Sequence, residues 1–229
     1  MQQRIIVILG MHRSGTSCLA GTLQEAGLYL GEVHTENPFN RKGNRENPSI
    51  MALHEDILAH SEGSWHQPPA GCHWLQQHIA RRDTIIASYR AQPLWGFKDP
   101  RSLITLPFWR EALPGLERVG IFRHPAAVAA SLQARDPVFT FDSGLMLWRD
   151  YNRRLLEEYQ RAPFPVIEFV DDQAQLLESL SRMRNILSLP DSERAPDFFE
   201  PALQHQRGNS GALDAQTRSL YQQLQALAA

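Results

Sequence analysis

Residues 4–26 constrain the fold more than any other stretch of the chain. They read RIIVILG, then MHRSGTS, then CLAGTLQEA. The continuous run Ile5-Ile6-Val7-Ile8-Leu9 is rich in β-branched side chains, which predicts a strand buried on both faces of a parallel sheet. Cys18, Leu19, Leu23 and Ala26 then form the apolar side of a predicted helix that Gly27 ends. The loop between them carries Gly10, Gly15, Thr16 and Ser17. Its spacing fits the phosphate-binding frame of Gly, four residues, Gly, Lys and Ser/Thr, except that Thr16 stands where that frame has its lysine. Such a loop still offers backbone N–H groups and a helix N-terminus to an anion. Arg13 brings the positive charge from earlier in the loop. The alternative is an ordinary strand-to-helix turn with incidental glycines.

A chain of 229 residues with 42% apolar content suits one α/β domain with excursions. The net charge of -2 excludes a strong global field toward nucleic acid or an anionic membrane, though a local basic pocket fits within it. Two cysteines, Cys18 and Cys72, do not make a disulfide framework. The opening residues lack the apolar core of a signal peptide, and no stretch reaches the roughly 18 apolar residues of a membrane span. No stable membrane insertion and a cytoplasmic location are the expectations.

Three further strands are predicted, at 94–97, 119–122 and 166–170. The first runs into Lys98-Asp99-Pro100-Arg101-Ser102, and the second into Arg123-His124-Pro125. Charged residues following a parallel strand lie at the edge where α/β proteins bind ligands. Pro125 suits the first turn of a helix, which places Arg123 at the strand end and Ser131 on the second turn, able to converge on one anion. Residues 28–45 read as a polar loop made basic by Arg41, Lys42 and Arg45. Helices are predicted over 46–60, 74–89, 103–111, 125–135, 140–160, 173–187 and 212–229, with Pro107 interrupting or delaying the third. Residues 28–92 form an excursion. Trp148, Tyr151 and Leu155 need only packing to explain their spacing. Asp171 and Asp172 read as helix-start acids. His54 and His60 lack the companions of a zinc site.

MHRSGTSCL resembles the 5′-phosphosulfate loop of the sulfotransferase family, which typically has Lys-Ser-Gly-Thr-Thr. Arg13 stands at the family's usual lysine, Ser14-Gly15-Thr16 match, and Ser17 replaces the second threonine. Arg123 with Ser131 eight residues later resembles the family's 3′-phosphate motif, and Lys98-Asp99-Pro100-Arg101 resembles a segment of its bacterial members. HQRGNSG, with Arg207, is a loose echo of a late basic loop that closes over the 3′-phosphate.

This resemblance implies a P-loop-containing three-layer α/β/α fold with a central, mostly parallel sheet, spanning residues 1–229 as one sulfotransferase-like domain. The donor it implies is 3′-phosphoadenylyl sulfate (PAPS), the product adenosine 3′,5′-bisphosphate (PAP), and no metal is required. Arg13, Ser14, Gly15, Thr16 and Ser17 would hold the phosphosulfate, and Arg123, Ser131 and Arg207 the 3′-phosphate. Lys98 is a second cation for the transferring group. Glu46, at an acidic position of the carbohydrate-sulfotransferase branch, is the first candidate base. Asp99 is the second, with His12, His34 and His124 as substitutes. The acceptor is a hydroxyl or amine on a saccharide or small molecule, shaped by the 28–92 excursion. Two other classes compete: a small-molecule kinase using ATP and Mg²⁺, disfavoured by Thr16, and a non-catalytic nucleotide-binding or scaffold protein.

Overall fold

The computed structural model describes residues 3–34, 43–190 and 213–228. Arg41, Lys42 and Arg207 lie outside these residues. The first strand, β1 (Arg4–Leu9), enters helix α1 (Thr16–Glu25) through the 10–17 loop. Helices α2 (Pro48–His60) and α3 (Gln76–Ser88) follow, then strand β2 (Leu94–Lys98) and helix α4 (Ser102–Ala112). Strand β3 (Glu117–Arg123) feeds helix α5 (Pro125–Arg135) and the long α6 (Phe141–Arg161). Strand β4 (Val166–Phe169), helix α7 (Gln173–Ile186) and helix α8 (Ala215–Gln225) complete the order.

The sheet is parallel throughout, in the order β2-β1-β3-β4. The apolar run of β1 is continuous because both of its faces are covered. Ile6 and Ile8 pack with Leu19 and Leu23 of α1 and with Leu176, Leu180 and Met183 of α7. Val7 and Leu9 point the other way, into a core built from α2, α4, α5, α6 and α8 around Trp95, Phe97, Trp109, Phe122 and Trp148. The result is helices, sheet, helices: the three-layer architecture that a parallel sheet requires.

The strand order fixes where a ligand site can form. The chain leaves β1 toward β2 on one side, then crosses back so that β3 and β4 extend the other. The connections therefore diverge between β1 and β3, and a crevice opens beyond the carboxyl ends of those strands. The 10–17 loop and the Arg123–Pro125 turn both lie at that edge. Lys98, in register with Ile8, ends the neighbouring strand.

Several boundaries differ from the sequence reading, with α2, α3 and α8 each beginning two or three residues later than expected. The helix expected from residue 46 begins at Pro48, because Asn47 caps it: the Asn47 side chain accepts from the Ser49 and Ile50 N–H groups. Glu46 thus stays on extended backbone, where its carbonyl accepts from the His34 N–H at 3.1 Å. Helix α4 runs through Pro107 without a break.

Candidate active site

The 10–17 loop is tightly built. The Ser14 N–H donates to the Met11 carbonyl at 3.3 Å, and two left-handed residues, Arg13 (φ 67°) and Gly15 (φ 84°), flank Ser14. A side chain at Gly15 would meet the Phe169 ring at 2.1 Å. At Gly10 it would meet the Ile121 carbonyl at 2.5 Å and the Thr16 methyl at 2.7 Å. Both glycines are required by close approach, and at Gly15 also by backbone hand. A left-handed arginine costs on the order of 1–3 kcal/mol, strain of the kind that gathers at ligand sites. The loop thereby delivers Arg13 to the crevice.

Helix starts are of two kinds: α1, α3, α4 and α5 begin without a side-chain cap hydrogen bond, whereas the others, α7 at this same edge among them, have one. Asn47, Thr140, Asp172 and Asp214 cap α2, α6, α7 and α8 with side-chain oxygens. Helices α1 and α5 begin at Gly15 and His124 with no side-chain cap and no acidic residue in the first turn. Their first N–H groups have no intrahelical partner, so both present partial positive charge to the crevice. Ser14 is fully buried, and its Oγ has no hydrogen-bond partner among the described residues.

Two sequence motifs meet here. Arg13 Nε donates to Ser131 Oγ at 2.8 Å, joining the loop after β1 to the helix after β3 across 118 positions of sequence. Arg123 stands at the end of β3, with Nη2 3.1 Å from Asp171 Oδ1 and its guanidinium 5.2 Å from the Phe169 ring centre. Ser131 therefore bonds Arg13 rather than sharing a partner with Arg123. Burial, together with the nearby Arg135 and Arg123, lowers Arg13 from the ordinary arginine value. Arg135 was not singled out by motif. It lies four residues after Ser131, on the same helical face, and that spacing was its only signal. Ser17 donates from Oγ to the Asn44 carbonyl at 3.1 Å, tying the start of α1 to the stem of the polar loop. Thr16 is buried in the first turn of α1.

On the other side of the loop lies a buried charge cluster. Lys98 Nζ is 2.8 Å from Glu46 Oε1, with side-chain exposures of only 2% and 8%. Asp99 is wholly buried. Its carboxylate accepts from the Arg101 backbone N–H at 2.8 Å and from Arg101 Nη1 at 3.0 and 3.2 Å. His54 Nδ1 lies 3.4 Å from Asp99 Oδ2. Trp109 Nε1 lies 2.7 Å from His54 Nε2, which leaves Nδ1 as the ring nitrogen facing Asp99. Burial alone would raise the Asp99 carboxyl. His54 and Arg101 outweigh it and hold the group far below the carboxylate range. A carboxylate stabilised this strongly is a poor proton acceptor, whereas Glu46 has the single partner Lys98 among the bonds described. Arg101, with Glu55 on its Nη2 at 2.8 Å, is the residue that secures Asp99. Its presence in the Lys-Asp-Pro-Arg run was the signal for it.

The histidines separate. His12 sits in the loop, and burial, followed by the charges of Arg101, Lys98 and Arg135 against that of Asp99, pushes it well below the ordinary histidine range. His124 stands at the first position before α5, where its side chain makes no capping bond, and meets Tyr221 edge-on at 5.0 Å. His34 exchanges backbone bonds with Arg45 and Glu46. Among the described residues, no group of three or more His, Cys, Asp or Glu side chains is placed to share a metal ion. No described helix is long and apolar enough to cross a membrane.

No family model matches the chain, and no curated protein matches it. Solved structures do. The sulfotransferase domain from the curacin biosynthetic pathway matches with a TM-score of 0.61 at 15% identity, covering 97% of this chain and 98% of that one. The sulfotransferase domain of the Synechococcus PCC 7002 olefin synthase gives 0.54 at 18% identity, covering 97% and 95%. A sulfotransferase from Alicyclobacillus acidocaldarius gives 0.52 at 16%, covering 99% and 96%.

The chain has the sulfotransferase fold. Coverage near the full length of both partners means that this fold takes in the whole arrangement, including α2 and α3. Within this fold, Arg13 and Ser131 meet beside the crevice between β1 and β3, the Ser17 hydroxyl is taken by Asn44, and Arg123 stands at the end of β3 with Asp171 and Phe169. Glu46, Lys98 and Asp99 lie on the β2 side of the 10–17 loop.

Proposed function

We propose that this protein transfers a sulfuryl group from PAPS to a hydroxyl acceptor. The Arg13–Ser131 hydrogen bond carries the proposal, because it brings a phosphate-type loop and a second anion motif to one place. A nucleotide with phosphates at both its 5′ and 3′ ends needs such a two-ended site. ATP needs a cation at the position of Thr16, which has none.

The residues present suit the donor. The loop N–H groups and Arg13 form a cradle for the phosphosulfate, closed from behind by the contacts that forbid side chains at Gly10 and Gly15. The Ser14 hydroxyl, buried and without a partner among the described residues, would donate to it on a small rearrangement of the loop. Ser131 and Arg123 receive the 3′-phosphate. Arg13 lies in the field of Arg135 and Arg123, and a bound anion offsets that field. The bound donor supplies an activated sulfate whose leaving group is a phosphate.

Arg13 and the first turn of α1 stabilise charge gathering on the leaving phosphate oxygen. Lys98 stands ready to neutralise the transferring group. Glu46 accepts the proton that the acceptor hydroxyl releases as its oxygen bonds to sulfur. Asp99 stays ionised and holds Arg101, so it acts as a positioning residue. The products are PAP and a sulfate ester. The chain works as one sulfotransferase-like domain, with 28–92 shaping the acceptor side.

Calorimetry tests the reading. PAP binds at least tenfold more tightly than ADP, and Arg123→Ala removes most of that preference. Equal affinity for the two nucleotides overturns it. Glu46→Gln retains PAP binding and loses turnover; full turnover in that variant eliminates Glu46 as the base.

A further inference from the structure

Two adjacent acids, Asp171 and Asp172, join β4 to α7, and they do different work. Asp172 caps α7, its side chain accepting from the Gln175 N–H at 2.9 Å. Asp171 turns instead to the end of β3. Its Oδ1 lies 3.1 Å from Arg123 Nη2, across 48 positions of sequence.

Arg123 is held from three directions. Its carbonyl accepts from Trp148 Nε1 at 3.0 Å. Its guanidinium lies 5.2 Å from the ring centre of Phe169, its partner in register across the sheet. A side chain at Gly15 would strike that same ring, so Phe169 stands between the 10–17 loop and Arg123. The third hold is the Asp171 carboxylate. Arg123 exposes 13% of its side chain, and Asp171 59%. An arginine this well covered, close enough to Arg13 to lower it, calls for an anion beside it. The exposed partner adds little to stability, so its effect is felt chiefly at Arg123.

We propose that Asp171 sets the affinity of the site for the 3′-phosphate by competing with that phosphate for Arg123. A phosphate arriving at Arg123 either displaces the carboxylate or sits beside it. The first course gives up an ion pair, and the second brings like charges together. Both weaken binding. Because Asp171 is exposed, it turns into water at small cost, and the competition lowers affinity without closing the site. PAP therefore leaves more readily than the loop, Ser131 and Arg123 alone would allow. The inference rests on the sulfuryl-transfer reading, which puts the 3′-phosphate at Arg123.

The test is calorimetry on the full chain with PAP and with adenosine 5′-phosphate (AMP), which differ only in the 3′-phosphate. Asp171→Asn and Asp171→Ala each bind PAP about two- to fivefold more tightly, the range set by an exposed ion pair. Both bind AMP as the wild type does. The gain shrinks in about 0.5 M salt, where exposed charges are screened. In an Arg123→Ala background, Asp171→Asn brings no gain. The inference is overturned if Asp171→Ala binds PAP no more tightly than the wild type, which would make Asp171 a support for Arg123 rather than a competitor. It is overturned too if AMP gains as much as PAP. Either result leaves the donor reading standing, provided the wild type prefers PAP to AMP and Arg123→Ala loses that preference. A wild type without that preference overturns the donor reading, and the inference with it.

Discussion

Replacing Lys98 by methionine isolates the buried pair on which both the base and the second cation depend. Methionine fills most of the lysine volume, so the change removes charge rather than packing. Glu46 is then a carboxylate with 8% of its side chain exposed and no cation at 2.8 Å. Breaking such a buried pair costs about 3–5 kcal/mol. At about 2–4 °C per kcal/mol for a chain of this size, the melting temperature falls by roughly 10 °C. The double variant Glu46→Leu/Lys98→Met removes both charges and regains most of the loss, because no uncompensated charge remains. The control is Arg81→Met, which opens the Arg81–Asp56 pair; its partners are 42% and 44% exposed. That change costs at most about 1 kcal/mol. Urea unfolding followed by tryptophan fluorescence gives all four stabilities. A Lys98→Met variant within 1 kcal/mol of wild type, or a double variant no better than the single, would refute a dry Glu46–Lys98 pair.

Three shorter predictions follow. Gly15→Ala must adopt φ 84° and displace the Phe169 ring, so it loses about 2–4 kcal/mol of stability from backbone strain and overpacking; PAP binding in calorimetry falls with it, and a variant that still binds PAP at wild-type affinity contradicts the cradle. Ser131→Ala frees Arg13 and removes a donor to the 3′-phosphate, weakening PAP by about ten- to a hundredfold while leaving ADP nearly unchanged. Asp99 has a folded pKa far below its unfolded value, so its stabilisation is complete above about pH 4 and is lost as pH falls from there. Urea unfolding at pH 7, 4 and 3 shows a steep acid loss in the wild type and a flatter one in Asp99→Asn, which starts less stable at pH 7.

The strands were legible because each is a short apolar run with both faces buried, so composition alone betrays them. Arg123 and Ser131 were legible as a spacing, since a strand end and the second turn of the next helix share one edge of the sheet. Their partners were not. Ser131 bonds Arg13 from 118 positions away, and no local pattern encodes that contact. The beginning of α2 was readable from Asn47-Pro48, a capping side chain before a first-turn proline, but the acid at 46 drew attention instead. Asp99 looked like a base from its place after a strand. Only the fold brings His54 from α2 and closes Arg101 back on Asp99, partners that its place after a strand did not announce. Trp65 sits in a polar, proline-rich connection and gave no periodic signal. Its packing appears only in the fold, where Tyr151 of α6 donates to the Trp65 carbonyl at 2.8 Å and the His12 ring lies 4.5 Å away.

The most direct measurement is donor turnover. The purified protein is incubated with PAPS and a mixed panel of hydroxyl acceptors, and mass spectrometry follows PAP release and the appearance of sulfated product. PAP and a sulfate ester form in equal amounts, and Arg13→Ala and Arg123→Ala each abolish both. Phosphorylated product from ATP and Mg²⁺, with no product from PAPS across the panel, would contradict the assignment of the crevice to a two-ended sulfate donor.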